Sequence, residues 1–253
     1  MTAVQLIQIT DLHIYTDPEK RAGGRDTLAT LKTVVDRVRA WTPDLVLATG
    51  DLVDDGNPVA YGRLRPVLHD LERPVAAIPG NHDLIGVMTE HLADETISLA
   101  PVHTIGNWSI HMLDSTVEGE HHGHFGQDRL DALDRALQDA EEEHALVVMH
   151  HQPAPIGSPL DSMGLDNADA LYDVLDRHDS VRGLLWGHIH HIHESERNGV
   201  RLIGSPSTCV QFDSRPEMGF TITDEPPACR RLRLDDDGSI DTEVVWVPEA
   251  LVA

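Results

Sequence analysis

Leu45-Val46-Leu47-Ala48-Thr49-Gly50-Asp51 decides the fold. A short apolar run closes on a glycine and then a carboxylate, which is how a buried parallel strand delivers one side chain to the rim of an α/β sheet. Four more runs end the same way. Val4 to Ile9 leads into Asp11-Leu12-His13, and Pro74 to Ile78 into Pro79-Gly80-Asn81-His82-Asp83. Ala145 to Met149 leads into His150-His151, and Val181 to Trp186 into Gly187-His188-Ile189-His190. Five expected strand ends therefore carry aspartate, asparagine and histidine, the side chains that hold divalent metals.

Helical patterns fill the gaps. Leu28, Leu31, Val34, Val35 and Val38 share one face and predict a helix that stops before Pro43; Val59, Leu64, Val67, Leu68 and Leu71 predict a second from Pro58 to Leu71. Strand, helix, strand, helix, strand implies right-handed crossovers and a largely parallel arrangement. From Val102 the pattern changes to a hairpin, Val102 to Ile105 and Trp108 to Leu113 around Gly106-Asn107, in which His103 and His111 are read as ordinary sheet residues. Helices are expected from Gln127 to Glu143 and from Asn167 to His178, then strands at Val200–Ile203, Phe220–Thr223, Cys229–Leu234 and Thr242–Val247. The proline-rich stretch from Pro153 to Pro159 must be irregular and is expected to wall a pocket, with the histidine-rich loop Glu118–His124 near it.

Composition narrows the function. The 253 residues carry 43 acidic and 19 basic side chains, a formal net charge of -24. Nucleic-acid binding rests on basic patches that neutralise phosphates, so this balance argues against a nuclease; it is compatible with a salt-rich habitat. No apolar run reaches the ~18 residues of a membrane span, and the first strand begins without a leader pattern, so the expectation is a cytoplasmic protein with no membrane contact. The two cysteines, Cys209 and Cys229, are too few for a disulfide framework and read as small buried hydrophobes. One domain is expected over 1–253.

Two neighbouring divalent ions need several oxygen or nitrogen ligands, one carboxylate between them and an open position for a hydroxide. Asp-x-His places two ligands on the same side of an extended strand end, because alternate residues point to one face, and Gly-His-x-His does the same at another, its glycine letting the backbone turn sharply. Asp51 is the natural shared ligand, because its two oxygens can face different ions.

Asp11-Leu12-His13, Gly50-Asp51, Gly80-Asn81-His82-Asp83, His150 and Gly187-His188-Ile189-His190 resemble the five signature blocks of the calcineurin-like metallophosphoesterase superfamily. His122-Gly123, His150-His151-Gln152-Pro153 and Ser205-Pro206-Ser207-Thr208-Cys209-Val210-Gln211-Phe212 extend the resemblance to its class III cyclic-nucleotide phosphodiesterases. That resemblance implies an α/β fold, a four-layer sandwich of two mixed β-sheets flanked by helices. It implies one metal held by Asp11, His13, Asp51 and His190 and another by Asp51, Asn81, His150 and His188, with iron and/or manganese as the usual occupants and His151 as a neighbour. It further implies hydrolysis of 3′,5′-cyclic AMP to 5′-AMP by attack of a metal-bridging hydroxide on phosphorus. In that scheme His82 is the candidate to protonate the leaving sugar oxygen, Asp83 orients it, and Asn81, His82, His188 and His122 contact the substrate. The rival readings are a broader phosphodiesterase acting on 2′,3′-cyclic nucleotides or glycerophosphodiesters, and a catalytically silent binding scaffold. The expected partner is a small cyclic nucleotide, with no nucleic acid; a homodimer is left open.

Overall fold

The computed structural model describes residues 3–215 and 219–247. The first half of the chain forms β1 (Val4–Ile9), α1 (Thr27–Arg39), β2 (Leu45–Thr49), α2 (Pro58–His69), β3 (Val75–Ile78), α3 (Ile85–His91), β4 (Ile97–Ser98), β5 (Val102–Ile105) and β6 (Trp108–Met112). The second half forms α4 (Gln127–Asp139), β7 (His144–Val148), α5 (Ala168–Leu175), β8 (Val181–Trp186), β9 (His193–Arg197), β10 (Val200–Gly204), β11 (Ala228–Leu234) and β12 (Ile240–Trp246), with a 3-10 turn at Pro159–Met163. Two six-stranded sheets result, ordered β12-β11-β1-β2-β3-β4 and β5-β6-β7-β8-β10-β9. In the first, β1 to β4 are parallel and β11 lies antiparallel on β1; in the second, β6, β7, β8 and β10 are parallel, with β5 and β9 antiparallel at its edges.

The apolar runs are continuous because both faces of each central strand are buried. Leu6, Leu47 and Ile78 point into the space between the sheets, where Trp108, Ile110, Leu146 and Leu185 meet them. Their neighbours Ile7, Val46 and Val75 point outward under Leu31, Val34, Leu64 and Leu68 of α1 and α2. On the far side Leu130 and Leu133 of α4 and Leu171 and Leu175 of α5 cover Val147 and Leu184. The layers are therefore helix, sheet, sheet, helix, as the sequence leads one to expect.

At the carboxyl ends of the strands this apolar filling gives way to a polar plug. Gln8 donates to Thr49 Oγ1 at 2.8 Å and to the Trp186 carbonyl at 3.1 Å, tying the two sheets together one residue short of Gly50 and Gly187. Ser205 Oγ donates to Gln8 and accepts from Arg230 Nε at 2.8 Å; Arg230, fully buried, also donates to the Gly204 carbonyl at 2.9 Å and to Glu194 at 2.7 Å.

Several boundaries differ from expectation for identifiable reasons. α4 stops at Asp139, because Ala140 is extended and the chain must reach the start of β7 at His144. α3 has a single buried residue, Met88, and no side-chain cap, and β9 reads His-Glu-Ser-Glu-Arg on a sheet edge, so neither carries an apolar pattern. Phe220–Thr223 forms no strand; Ile222 makes one isolated bridge to Phe212.

Replacing Arg230 by Met takes a donor from the Gly204 carbonyl and leaves the Ser205 hydroxyl only its bond to Gln8 in the plug. The loss is expected to be ~1 to 3 kcal/mol. Denaturant unfolding of the metal-free protein measures it, and an unchanged midpoint would show that the plug does not stabilise the sheets.

Candidate metal centre

Past the ends of β1 and β2 the chain stays zipped: the Asp11 N–H donates to the Gly50 carbonyl at 3.0 Å and the His13 N–H to the Asp51 carbonyl at 2.9 Å. Asp11, His13, Asp51, His188 and His190 all have positive φ, between 43° and 65°, and make up five of the eight described non-glycine residues that do. The two-residue spacing thus works differently from expectation. Both members of each pair are left-handed rather than extended, a conformation that costs of order 1 to 3 kcal/mol per residue and persists where the surroundings impose it. The sharp turn expected at Gly187 is found instead at Gly50, at φ 92°, beneath the His150 ring. Gly187 serves a different purpose. A Cβ there would collide with Thr10 and come within 2.8 Å of Asp11 Oδ2, so glycine permits close approach instead.

The side chains converge. One donor atom from each of Asp11, His13 and His190 lies within 4.8 Å of the others, and the same holds for Asp11, Asp51 and His150, for His13, Asp51 and His82, and for His150, His151 and His188. His13 Nε2 is 3.3 Å from His190 Nε2, which is 3.4 Å from Asp11 Oδ1; Asp51 Oδ2 lies 3.7 Å from His13 Nε2 and 3.4 Å from His150 Nε2. Backbone carbonyls decide which ring nitrogen faces inward. His150 Nδ1 donates to the Thr49 carbonyl at 2.9 Å and His190 Nδ1 to that of Val210 at 2.7 Å, leaving both Nε2 atoms turned to the centre.

Lone pairs facing one another at such distances need a proton or a cation between them. Asn81 Oδ1 and the Nε2 atoms of His150, His151 and His188 are buried with no hydrogen-bond partner, an arrangement that otherwise carries a desolvation penalty. A mixed oxygen and nitrogen donor set with these orphaned atoms fits divalent cations.

Without a cation, charge is balanced internally. Burial pushes the Asp51 carboxyl up, but His150, His13 and His82 around it prevail and hold it well below the usual carboxylate range. Burial pulls His150 down, yet Asp51 beside it raises it to about 9. Burial and then the neighbouring imidazoles hold His151 and His188 well below the usual histidine value, so both are neutral.

Other expected site residues fall into place unevenly. His82 sits at the rim, its N–H donating to Asp51 Oδ1 at 2.9 Å and its Nδ1 paired with the Asp54 carbonyl at 2.8 Å. Asp83 does not orient it. The Asp83 carboxylate accepts from Gly80, Leu52 and Val53 N–H groups and from Tyr61 Oη at 2.7 Å, so it is a buried strut between the loops after β2 and β3. Burial, followed by the Asp51 charge, raises its pKa. His122 turns away to Glu120 and Asp166, at 3.9 and 3.7 Å, and the neighbouring His121 lines the cavity of about 230 Å³ over the centre instead. The 3-10 turn after the proline-rich stretch does supply a wall, through Leu160 and Met163. Ser115 was not legible: its hydroxyl pairs with His151 Nδ1 at 2.8 Å, but a lone serine after a strand carries no signal. The run Ser205–Phe212 buttresses Asp11, whose carbonyl accepts from Ser207 Oγ at 2.8 Å.

A family model described as calcineurin-like phosphoesterase matches residues 4–191. The chain belongs to the calcineurin-like phosphoesterase family. This phosphoesterase is 39% identical over 252 residues to the 3′,5′-cyclic adenosine monophosphate phosphodiesterase CpdA of Pseudomonas aeruginosa, covering 98% of this chain and 92% of that one. It is 35% identical over 251 residues to a 3′,5′-cyclic-nucleotide phosphodiesterase of a Nostoc species, covering 98% and 94%. Among solved structures, a dimetal phosphatase from Danio rerio superposes with a TM-score of 0.67 at 17% identity, over 98% of this phosphoesterase and 100% of the other chain. GAP50, described as the anchor in the inner membrane complex of Plasmodium, superposes with a TM-score of 0.68 at 14% identity, over 97% and 85%. Such distant likeness establishes the fold alone.

His150 held near 9 is protonated in the metal-free protein at neutral pH, and a metal must displace that proton. In the absence of metal the His150–Asp51 attraction stabilises the fold fully below the ordinary histidine value and is lost as pH rises through about 9. Titrating Mn²⁺ into metal-free protein at neutral pH should therefore release a proton, read by calorimetry in buffers of different ionisation enthalpy, and the affinity should climb with pH towards 9. Proton-neutral uptake would contradict this arrangement.

Proposed function

We propose that the chain is a binuclear-metal phosphodiesterase that hydrolyses 3′,5′-cyclic AMP to 5′-AMP. The observation that carries this is the knot of donor atoms at the strand ends, in a chain 39% identical, over 98% of its length, to an enzyme named for that reaction. In this reading the ions are held by Asp11, His13, Asp51 and His190, and by Asp51, Asn81, His150 and His188, with iron and/or manganese as occupants. Bound there, two cations offset the charge building on the phosphoryl oxygens and bring a water within reach of deprotonation near neutral pH.

The protein's own residues do the rest. Asp51 keeps the two sites adjacent. His82, whose Nδ1 is committed to the Asp54 carbonyl at 2.8 Å, keeps Nε2 for a proton that passes to the leaving ribose 3′-oxygen as its bond to phosphorus breaks. His82, Asn81 and His121 line the cavity over the centre, where this reading puts the phosphate and the departing oxygen. We extend the proposal to one functional unit over 1–253, acting in the cytoplasm on a free nucleotide. No described helix is long and apolar enough to cross a membrane. The intact donor set favours catalysis over a silent scaffold.

Two substitutions separate the roles. His82→Ala should retain metal and lose ~10² to 10⁴-fold in kcat, the usual worth of general acid catalysis. Asp51→Asn should lose metal and rate together. Steady-state kinetics on 3′,5′-cyclic AMP with metal quantified in the same samples checks both, alongside chelation and metal add-back of the parent. An active, fully metallated Asp51→Asn protein would sink the assignment.

A further inference from the structure

The cavity over the donor knot has a polar floor and an apolar wall. Two of the chain's three phenylalanines, Phe212 and Phe220, line it together with Leu160 and Met163. Phe212 lies flat on the His190 ring, centroids 4.2 Å apart at 20°, and Phe220 meets Phe212 edge-on at 6.4 Å and 77°. Phe220 therefore stands two rings out from a floor residue. Its side is held in place by backbone: the Asp213 N–H donates to the Thr221 carbonyl at 2.8 Å, the Thr223 N–H to that of Gln211 at 3.0 Å, and the Phe212 N–H to that of His190 at 3.2 Å. Despite this anchoring, Phe220 is 54% exposed.

An exposed aromatic ring beside a charged floor is poorly placed for stability and well placed for a ligand that is anionic at one end and flat and apolar at the other. We propose that Phe220, backed by Phe212, is the nucleobase seat of this site, a subsite that rests on the nucleotide reading above and that glycerophosphodiesters, having no planar group, cannot use. Stacking tolerates any base, because every base presents a π-face. The wall thus selects nucleotides over other diesters without choosing among purines.

The test uses the metal-loaded full chain as the parent, Phe220→Ala and Phe220→Tyr. Two ratios are measured: kcat/KM on 3′,5′-cyclic AMP against base-free ribose 3′,5′-cyclic phosphate, and equilibrium affinity for 5′-AMP against ribose 5-phosphate. Loss of one base stack is worth about tenfold or more, so both ratios should fall about tenfold in the Ala variant and return in the Tyr variant. Unchanged ratios overturn the proposal. So does an equal loss on both members of a pair, which marks Phe220 as structural. Should the parent hydrolyse neither compound, the catalytic reading fails, and the affinity ratio still decides the subsite.

Discussion

A carboxylate shut away from water between imidazoles governs this structure. Asp51 is 3% exposed and has His13 and His150 nitrogens within 4 Å of one oxygen, at 3.7 and 3.4 Å. Such a group persists only if every neighbour is placed to satisfy it, and much of the local architecture follows from that demand. The strand-end loops are zipped by backbone hydrogen bonds, five ligand-type residues accept left-handed backbone, and glycines stand where a Cβ would intrude on His150 or Asp11. The carbonyls of Thr49 and Val210 settle which face each imidazole turns inward.

The polar plug beneath makes this placement rigid across two sheets. Gln8 reaches Thr49 on its own sheet and the Trp186 carbonyl on the other, so the residues two positions before Asp51 and His188 are held by one side chain. Arg230 and Ser205 brace it from behind. An apolar filling at this level would pack as well but leave the two sheets free to slide. Directional bonds fix their register at the place where a shift of about 1 Å would spoil the centre.

Much of this is written plainly in the chain. Central strands buried on both faces give unbroken apolar runs, and five of them closing on ligand-type residues are enough to locate the centre. What stayed hidden has physical causes. β9 and α3 bury almost nothing, so they leave no periodic trace. Asp83 and His122 were misplaced because adjacency in sequence says nothing about where a side chain turns: Asp83 is claimed by three backbone N–H groups and Tyr61, and His122 by Asp166. The aromatic wall was invisible because Phe220 is brought beside Phe212 by one isolated bridge, between Phe212 and Ile222, which leaves no periodic pattern in the sequence.

β1 is sandwiched between β2 and β11, and Val4 pairs with Leu234 across almost the entire polypeptide. Closing so large a loop is slow and entropically demanding. During synthesis, then, Asp11 leaves the ribosome long before the strand and the serine that lock it in place. The bond from Ser207 to the Asp11 carbonyl spans 196 residues, so Asp11 gains its full set of partners only after Ser207 and β11 have been made.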